Sequence, residues 1–175
     1  ISGNTDTSDI NGHGTAVAGT VAAATNNASA SFNGGVASVA FGAKGNGFMG
    51  DFGYVGLGEA MKQMTTVNLA EYKIPLLVFA MFQLMFAVIT PALISGAIAD
   101  RAKFLGWAVF VTLWVSIVYF PVAHWVFDFG DADGNFAGWL AARGVEDFAG
   151  GTAVHITAGA AGLALALVLG KRTNW

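Results

Sequence analysis

Few side chains in this 175-residue sequence could do chemistry, and their spacing narrows the choice further. His155 is the ionisable group of an otherwise uncharged stretch, Phe148 to Gly170. In a soluble core a lone histidine is usually a hydrogen-bonded filler. Within an apolar span ionisable groups are rare and costly, so a polar pathway becomes an equal reading. Gly151 and Gly159 lie four residues to either side of His155, and Gly162 seven residues on, with Thr152 and Ala158 three to either side. These positions share one helical face. Val154, Leu163, Leu165, Leu167 and Val168 fall on the opposite face and the C-terminal half. The expectation is that the smooth glycine face presses on protein and buries the imidazole, while the leucines meet lipid.

Three further groups stand out. Phe82 and Phe86 are four residues apart, with Gln83 and Thr90 adjoining that face. Rings on a membrane helix are ordinarily packing or lipid contacts, but an amide in hydrocarbon needs a protein or water partner. Asp147 stands just before the His155 stretch. A carboxylate there can cap free N–H groups and complements the helix dipole. His13, in Asn11-Gly12-His13-Gly14-Thr15, edges a short apolar run that is too glycine-broken to cross a bilayer.

The elements that must position these groups are mostly membrane spans. Apolar residues make up 55% of the chain and charged ones 11%, with a mean hydropathy of +0.60, far from a soluble domain. Uncharged runs over 74–99, 104–127 and 148–170 each exceed the roughly 20 residues a span needs. Arg101 and Lys103 follow the first run, and Lys171 and Arg172 follow the third. These basic ends belong on the cytoplasmic side. The acidic loop 128–147, with Asp131, Asp133 and Glu146, then lies outside, giving a multi-pass protein of the cell membrane. His124 lies near the end of the second run. Pro75 sits harmlessly at a helix start, whereas Pro91 and Pro121 are interior and should kink or end their helices. The fold class is therefore mainly α, a three-helix membrane fragment.

Outside the spans the chain reads differently. Residues 1–44 suggest a small α/β-like segment: a helix of two to three turns, a loop and a short strand. Residues 45–73 form an interfacial bridge of glycines, aromatics and scattered charges, with one short amphipathic helix between Leu57 and Tyr72. There is no cysteine, so no disulfide or thiolate metal site, and no metal or cofactor is expected. A net charge of −3 gives no footprint for nucleic acid. The polar start has no signal-peptide pattern and no initiator methionine, as in an internal or processed chain.

Two resemblances follow from these stretches. Asn11 to Thr20 resembles the histidine motif of the subtilisin-like serine proteases, and Gly34-Gly35-Val36 and Ala40 to Lys44 resemble the loop and strand after it. The resemblance implies a general-base role for His13. Asp6 is too close for that family's aspartate motif, however, and no nucleophile motif follows, so no acyl transfer is expected of it.

The second resemblance is carried by three motifs in order. Phe82 to Arg101 is similar to the third helix of the ammonium transporter family, Pro121 to Trp125 to the end of its fourth, and Asp147 to Ile156 to its signature near the start of the fifth. The resemblance runs from about Gly45 to the C-terminus. It implies that Phe82 belongs to an outer recruitment site for ammonium. Phe86 would be a ring over the pore entrance that moves aside. His155 would be the first of two pore histidines, and Asp147 a carboxylate organising the outer site. Aromatic faces suit a small cation as it loses water. The family's outer-site tryptophan falls on Phe127, with Trp125 close by. The second pore histidine, the recruitment-site serine and about eight of the family's eleven helices are absent. The sequence thus reads as part of an ammonium transporter in a lipid bilayer, a homotrimer if completed as in the family. The alternative is a subtilisin-like endopeptidase fragment, and the whole reads as a fusion joined near 44–45.

Overall fold

In a computed structural model the structure describes residues 39–41, 45–54, 64–66, 73–130 and 137–172. His13 and most of the segment 1–44 lie outside the described residues, as do Asp131 and Asp133.

Among the described residues three helices are long and apolar enough to cross a membrane: Leu76–Ile98, Phe104–Phe127 and Gly151–Leu169. They are called the first, second and third span below. The second keeps its expected bounds. The first starts two residues late because Ile74 and Pro75 belong to a strand, β2 (Lys73–Pro75), paired antiparallel with β1 (Met64–Thr66). The amphipathic helix expected between Leu57 and Tyr72 is therefore corrected at 64–66 to strand, where Thr65 and Thr66 are β-branched. Pro75 fixes φ at −56° and the helix begins with the next residue.

The prolines act less harshly than expected. The first span runs through Pro91 as one α-helix. The second span contains a π-helical turn, Val115–Tyr119, directly before the α-helical segment that holds Pro121 near its start. The extra residue of such a turn shifts the hydrogen-bond register, so a proline without an N–H is accommodated. The third span opens in the same way. Gly150 takes φ +75°, and His155 N–H reaches back five residues to Gly150 O at 2.9 Å. That tight left-handed entry suits glycine and explains why the helix starts at Gly151 rather than Phe148.

The first and third spans pack along each other. The second touches the first through 115–119 and the start of the third through 120–127. Leu84, Ala87, Ile94, Val111, Val115 and Val154 belong to the shared core, together with Ala40 from the segment before the spans. Val39 and Phe41 pack against the same core, and Phe41 meets Phe79 edge-on at 5.0 Å. Met81, Met85, Ile89, Leu113, Ile117 and Leu167 point outward. Such a ring of exposed apolar side chains is what lipid or further helices would cover.

The face by which the third span packs differs from expectation. Val154 and Ala158 are buried and Ala161 and Leu165 half-buried, while His155, Gly151 and Gly159 are exposed. Of that face's glycines, Gly162 meets the neighbouring span, its added Cβ falling 3.5 Å from Ala97 Cβ, whereas Gly159 has open space; Ala158 of the same face is buried. His155 is thus not buried by these three helices. Helix rotation, which composition does not fix, put the adjacent stripe inward. As expected, Leu163, Leu167 and Val168 face outward.

Candidate functional site

The first span's start, the second span's end and the third span's start lie at one end of the bundle, as their alternating direction requires. Phe82 and Phe86, one turn apart on the first span, make an edge-on pair with ring centroids 5.0 Å apart and planes at 80°. Phe82 is 58% exposed, whereas Phe86 packs partly against the core. Edge-on geometry sets the edge of one ring against the electron-rich face of the other.

His155 stands further in. Gly162 lies against Ala97, and the two spans run in the same direction, so the seven-residue step back to His155 places it about 10 Å outward of that contact, near the level of Thr90. Counted from that end of the bundle, the order is then Phe82, Phe86, His155. The imidazole makes no hydrogen bond among the described residues and is open on the bundle surface.

Asp147 does what its position suggests. Its Oδ2 accepts from Thr152 N–H at 2.9 Å and Ala153 N–H at 3.0 Å, closing the free end of the third span. Its Oδ1 is buried and has no partner among the described residues. The carboxylate therefore fixes the turn that presents His155.

The two aromatic candidates on the second span separate. Trp125 is committed elsewhere: its Nε1–H donates to Phe48 O at 2.9 Å, and its ring meets Phe48 and Trp139 edge-on. Phe127 instead packs against the core that Phe86 also touches.

Sequence reasoning missed the histidine that is buried. His124 is 0% exposed, with Nδ1 2.9 Å from Ala40 O and 3.1 Å from Asp128 Oδ2, and Nε2 2.6 Å from Asn46 O. It ties the second span to two segments about 80 residues earlier. The i, i+4 spacing of His124 and Asp128 was visible as a pair; the carbonyls it holds were not.

Among the described residues no cluster of three metal-ligating side chains occurs. The first span carries the Phe82–Phe86 pair and the parallel third span carries the exposed His155.

Comparison with known proteins gives the same direction. The model of the Ammonium Transporter Family matches residues 32–175. The ammonium transporter of Mycobacterium tuberculosis is 60% identical over 103 residues, 58% of this chain and 22% of that protein. That of Aquifex aeolicus is 48% identical over 138 residues, 78% of this chain and 30% of that one. The crystal structure of Saccharomyces cerevisiae Mep2 superposes with a TM-score of 0.68 at 36% identity, covering 89% of this chain and 31% of that chain. The chain thus spans between a fifth and a third of the length of these relatives. The match includes Gly34-Gly35-Val36 and Ala40 to Lys44, which the sequence reading had attached to the protease-like segment.

Proposed function

The chain belongs to the ammonium transporter family, and from that premise we propose that it forms part of a membrane conduit for ammonium or ammonia. The observation that carries this reading is the edge-on Phe82–Phe86 pair above an unpartnered, outward-facing His155. Phe82 recruits the cation at the outer mouth, Phe86 is the ring that must move for passage, and His155 hydrogen-bonds the species that passes. A neutral imidazole can bond ammonia or relay a proton without a fixed buried charge. Asp147 holds the turn below the mouth. Phe127, not Trp125, completes the aromatic outer site, because the Trp125 N–H is already spent on Phe48. Three helices leave one side of this path open, so transport needs the remaining helices of a complete family member.

The basic ends at Arg101 and Lys171 lie in the cytoplasm of a multi-pass cell-membrane protein, and the complete assembly is a homotrimer. We place the start of the transporter unit at residue 32 rather than at 45. The protease-like motif around His13 then stands before it, with no nucleophile to serve, and no hydrolytic role is assigned to it.

The test is selectivity in proteoliposomes holding a complete family transporter that carries residues 32–175. His155→Ala should spoil discrimination of ammonium from potassium. Phe82→Ala should weaken recruitment and leave selectivity largely intact. Unchanged selectivity in His155→Ala would return the histidine to a packing role.

A further inference from the structure

His124 meets more acceptors than a neutral ring can serve. Nε2 lies 2.6 Å from Asn46 O, while Nδ1 lies 2.9 Å from Ala40 O and 3.1 Å from Asp128 Oδ2. A neutral imidazole carries one N–H and one bare nitrogen, and the bare nitrogen needs a donor. In either tautomer a bare nitrogen would face a carbonyl oxygen at hydrogen-bond distance, lone pair against lone pair. A proton on Asp128 instead would serve Nδ1 but leave Ala40 O against the same lone pair. The ring is fully buried and has no solvent face to relieve the clash. Only the imidazolium, with N–H on both nitrogens, satisfies the set, and Asp128, four residues on, supplies the counter-charge.

The other charged groups nearby are committed elsewhere. Asp51, beyond Asn46 in the chain, accepts from Gly53 N–H. Arg143, in the loop after the second span, donates to Trp139 O and lies over its ring. Asp147, before the third span, accepts from Thr152 and Ala153. Among the described residues Asp128 is thus the charged group that meets the ring. What the ring holds is the stretch before the spans. Gly50 N–H donates to Val39 O at 2.8 Å, joining the neighbourhoods of the two carbonyls, and Phe41 carries the same stretch onto Phe79. Two further ties, Trp125 Nε1–H to Phe48 O and Trp139 N–H to Gly47 O, do not titrate.

We propose that His124 and Asp128 form a proton-dependent latch: a buried imidazolium fastens the stretch carrying Ala40 and Asn46 to the end of the second span, and lets it go when it loses its proton. Deprotonation strips one N–H, so that either Asn46 O, or Ala40 O together with Asp128, is left facing a lone pair. It also leaves the Asp128 carboxylate without its counter-charge. The latch is fastened with the proton on and loosens as rising pH removes it. It stands independently of any role for Phe86 or His155.

The whole chain in detergent micelles, carrying ¹⁵N-labelled histidine, reads the ring directly by NMR. Comparison with His124→Gln assigns its two nitrogens among those of the 3 histidines. Should that variant fail to fold, His13→Gln and His155→Gln assign it by elimination. At neutral pH both His124 nitrogens should carry hydrogen. One bare nitrogen would overturn the imidazolium, whether the proton is missing or lies on Asp128. 4-Fluorophenylalanine at position 41 reports the held stretch by ¹⁹F NMR. As pH is raised its signal should give way to a second one, with the same midpoint as the ring. Asp128→Asn keeps an acceptor but removes the charge, and should lower both midpoints together by about one pH unit. A ¹⁹F signal that ignores the ring's titration, or a ring that keeps its proton until the chain unfolds, would overturn the latch.

Discussion

Arg172 Nη2 donates to Gly96 O at 2.7 Å, tying the tail of the third span to the first across 76 residues of sequence. Arg101 returns the bond, donating from Nη1 to Gly170 O at the end of the third span. The two spans are parallel, so their carbonyl-rich ends and negative dipole poles meet on one side. Each guanidinium caps its neighbour's carbonyls and offsets that charge. Arg101 also donates to Ala97 O, so it serves two carbonyls where Arg172 serves one. Arg101→Gln should cost about 2 kcal/mol and Arg172→Gln about 1 kcal/mol. Thermal unfolding in detergent, followed by tryptophan fluorescence, measures the difference; equal effects would deny the asymmetry.

The same clamp holds both basic ends at one end of the bundle, the end proposed to face the cytoplasm. A cysteine replacing Asp133 should be labelled from outside intact cells, and one replacing Thr173 only after permeabilisation. The protein should also resist carbonate extraction. Reversed labelling would remove the proposed order of Phe82, Phe86 and His155 from the outer side.

His124 should be among the costliest residues to replace. His124→Leu leaves Ala40 O, Asn46 O and Asp128 without their partner in a buried site. The expected loss is about 3 kcal/mol, with His124→Gln intermediate because it keeps one donor. Proteolysis near residue 46 should accelerate in His124→Leu, as that segment is no longer held. A neutral His124→Leu would mean the carbonyls find water instead.

Gly138 is fixed by contact rather than by a left-handed backbone. A Cβ there would fall 2.0 Å from His124 O and 2.8 Å from Trp125 O. Gly138→Ala must push the loop off the second span and break Gly138 N–H to Asp128 O, 2.8 Å, and Leu140 N–H to Trp125 O, 2.9 Å. A loss of about 2–3 kcal/mol is expected. Gly144, with φ +75° and open space, should cost only about 1 kcal/mol as alanine. Melting temperatures of the two variants give the ranking, and a reversed order would refute it.

Asp147→Ala should uncap Thr152 and Ala153 and cost about 1–2 kcal/mol. Asp147→Asn should lose less, since its amide oxygen still accepts. Hydrogen exchange at the two amides reads this directly, and unchanged protection in Asp147→Ala would deny the cap.

The sequence by itself determined what depends on composition and local spacing. Long uncharged runs ended by Arg101, Lys103, Lys171 and Arg172 marked the three spans to within a few residues, because hydrocarbon excludes charge over a fixed thickness. The Phe82–Phe86 pair and the Asp147 cap were legible too, since one helical turn settles both. Tertiary structure decided what depends on rotation and on distant partners. It turned Val154 inward beside Ala158 and left His155, Gly151 and Gly159 open, a rotation set by packing against the core. It set His124 on the carbonyls of Ala40 and Asn46, contacts made by backbone atoms. Backbone carbonyls are identical in every residue, so no side-chain pattern announces which of them a buried donor will find.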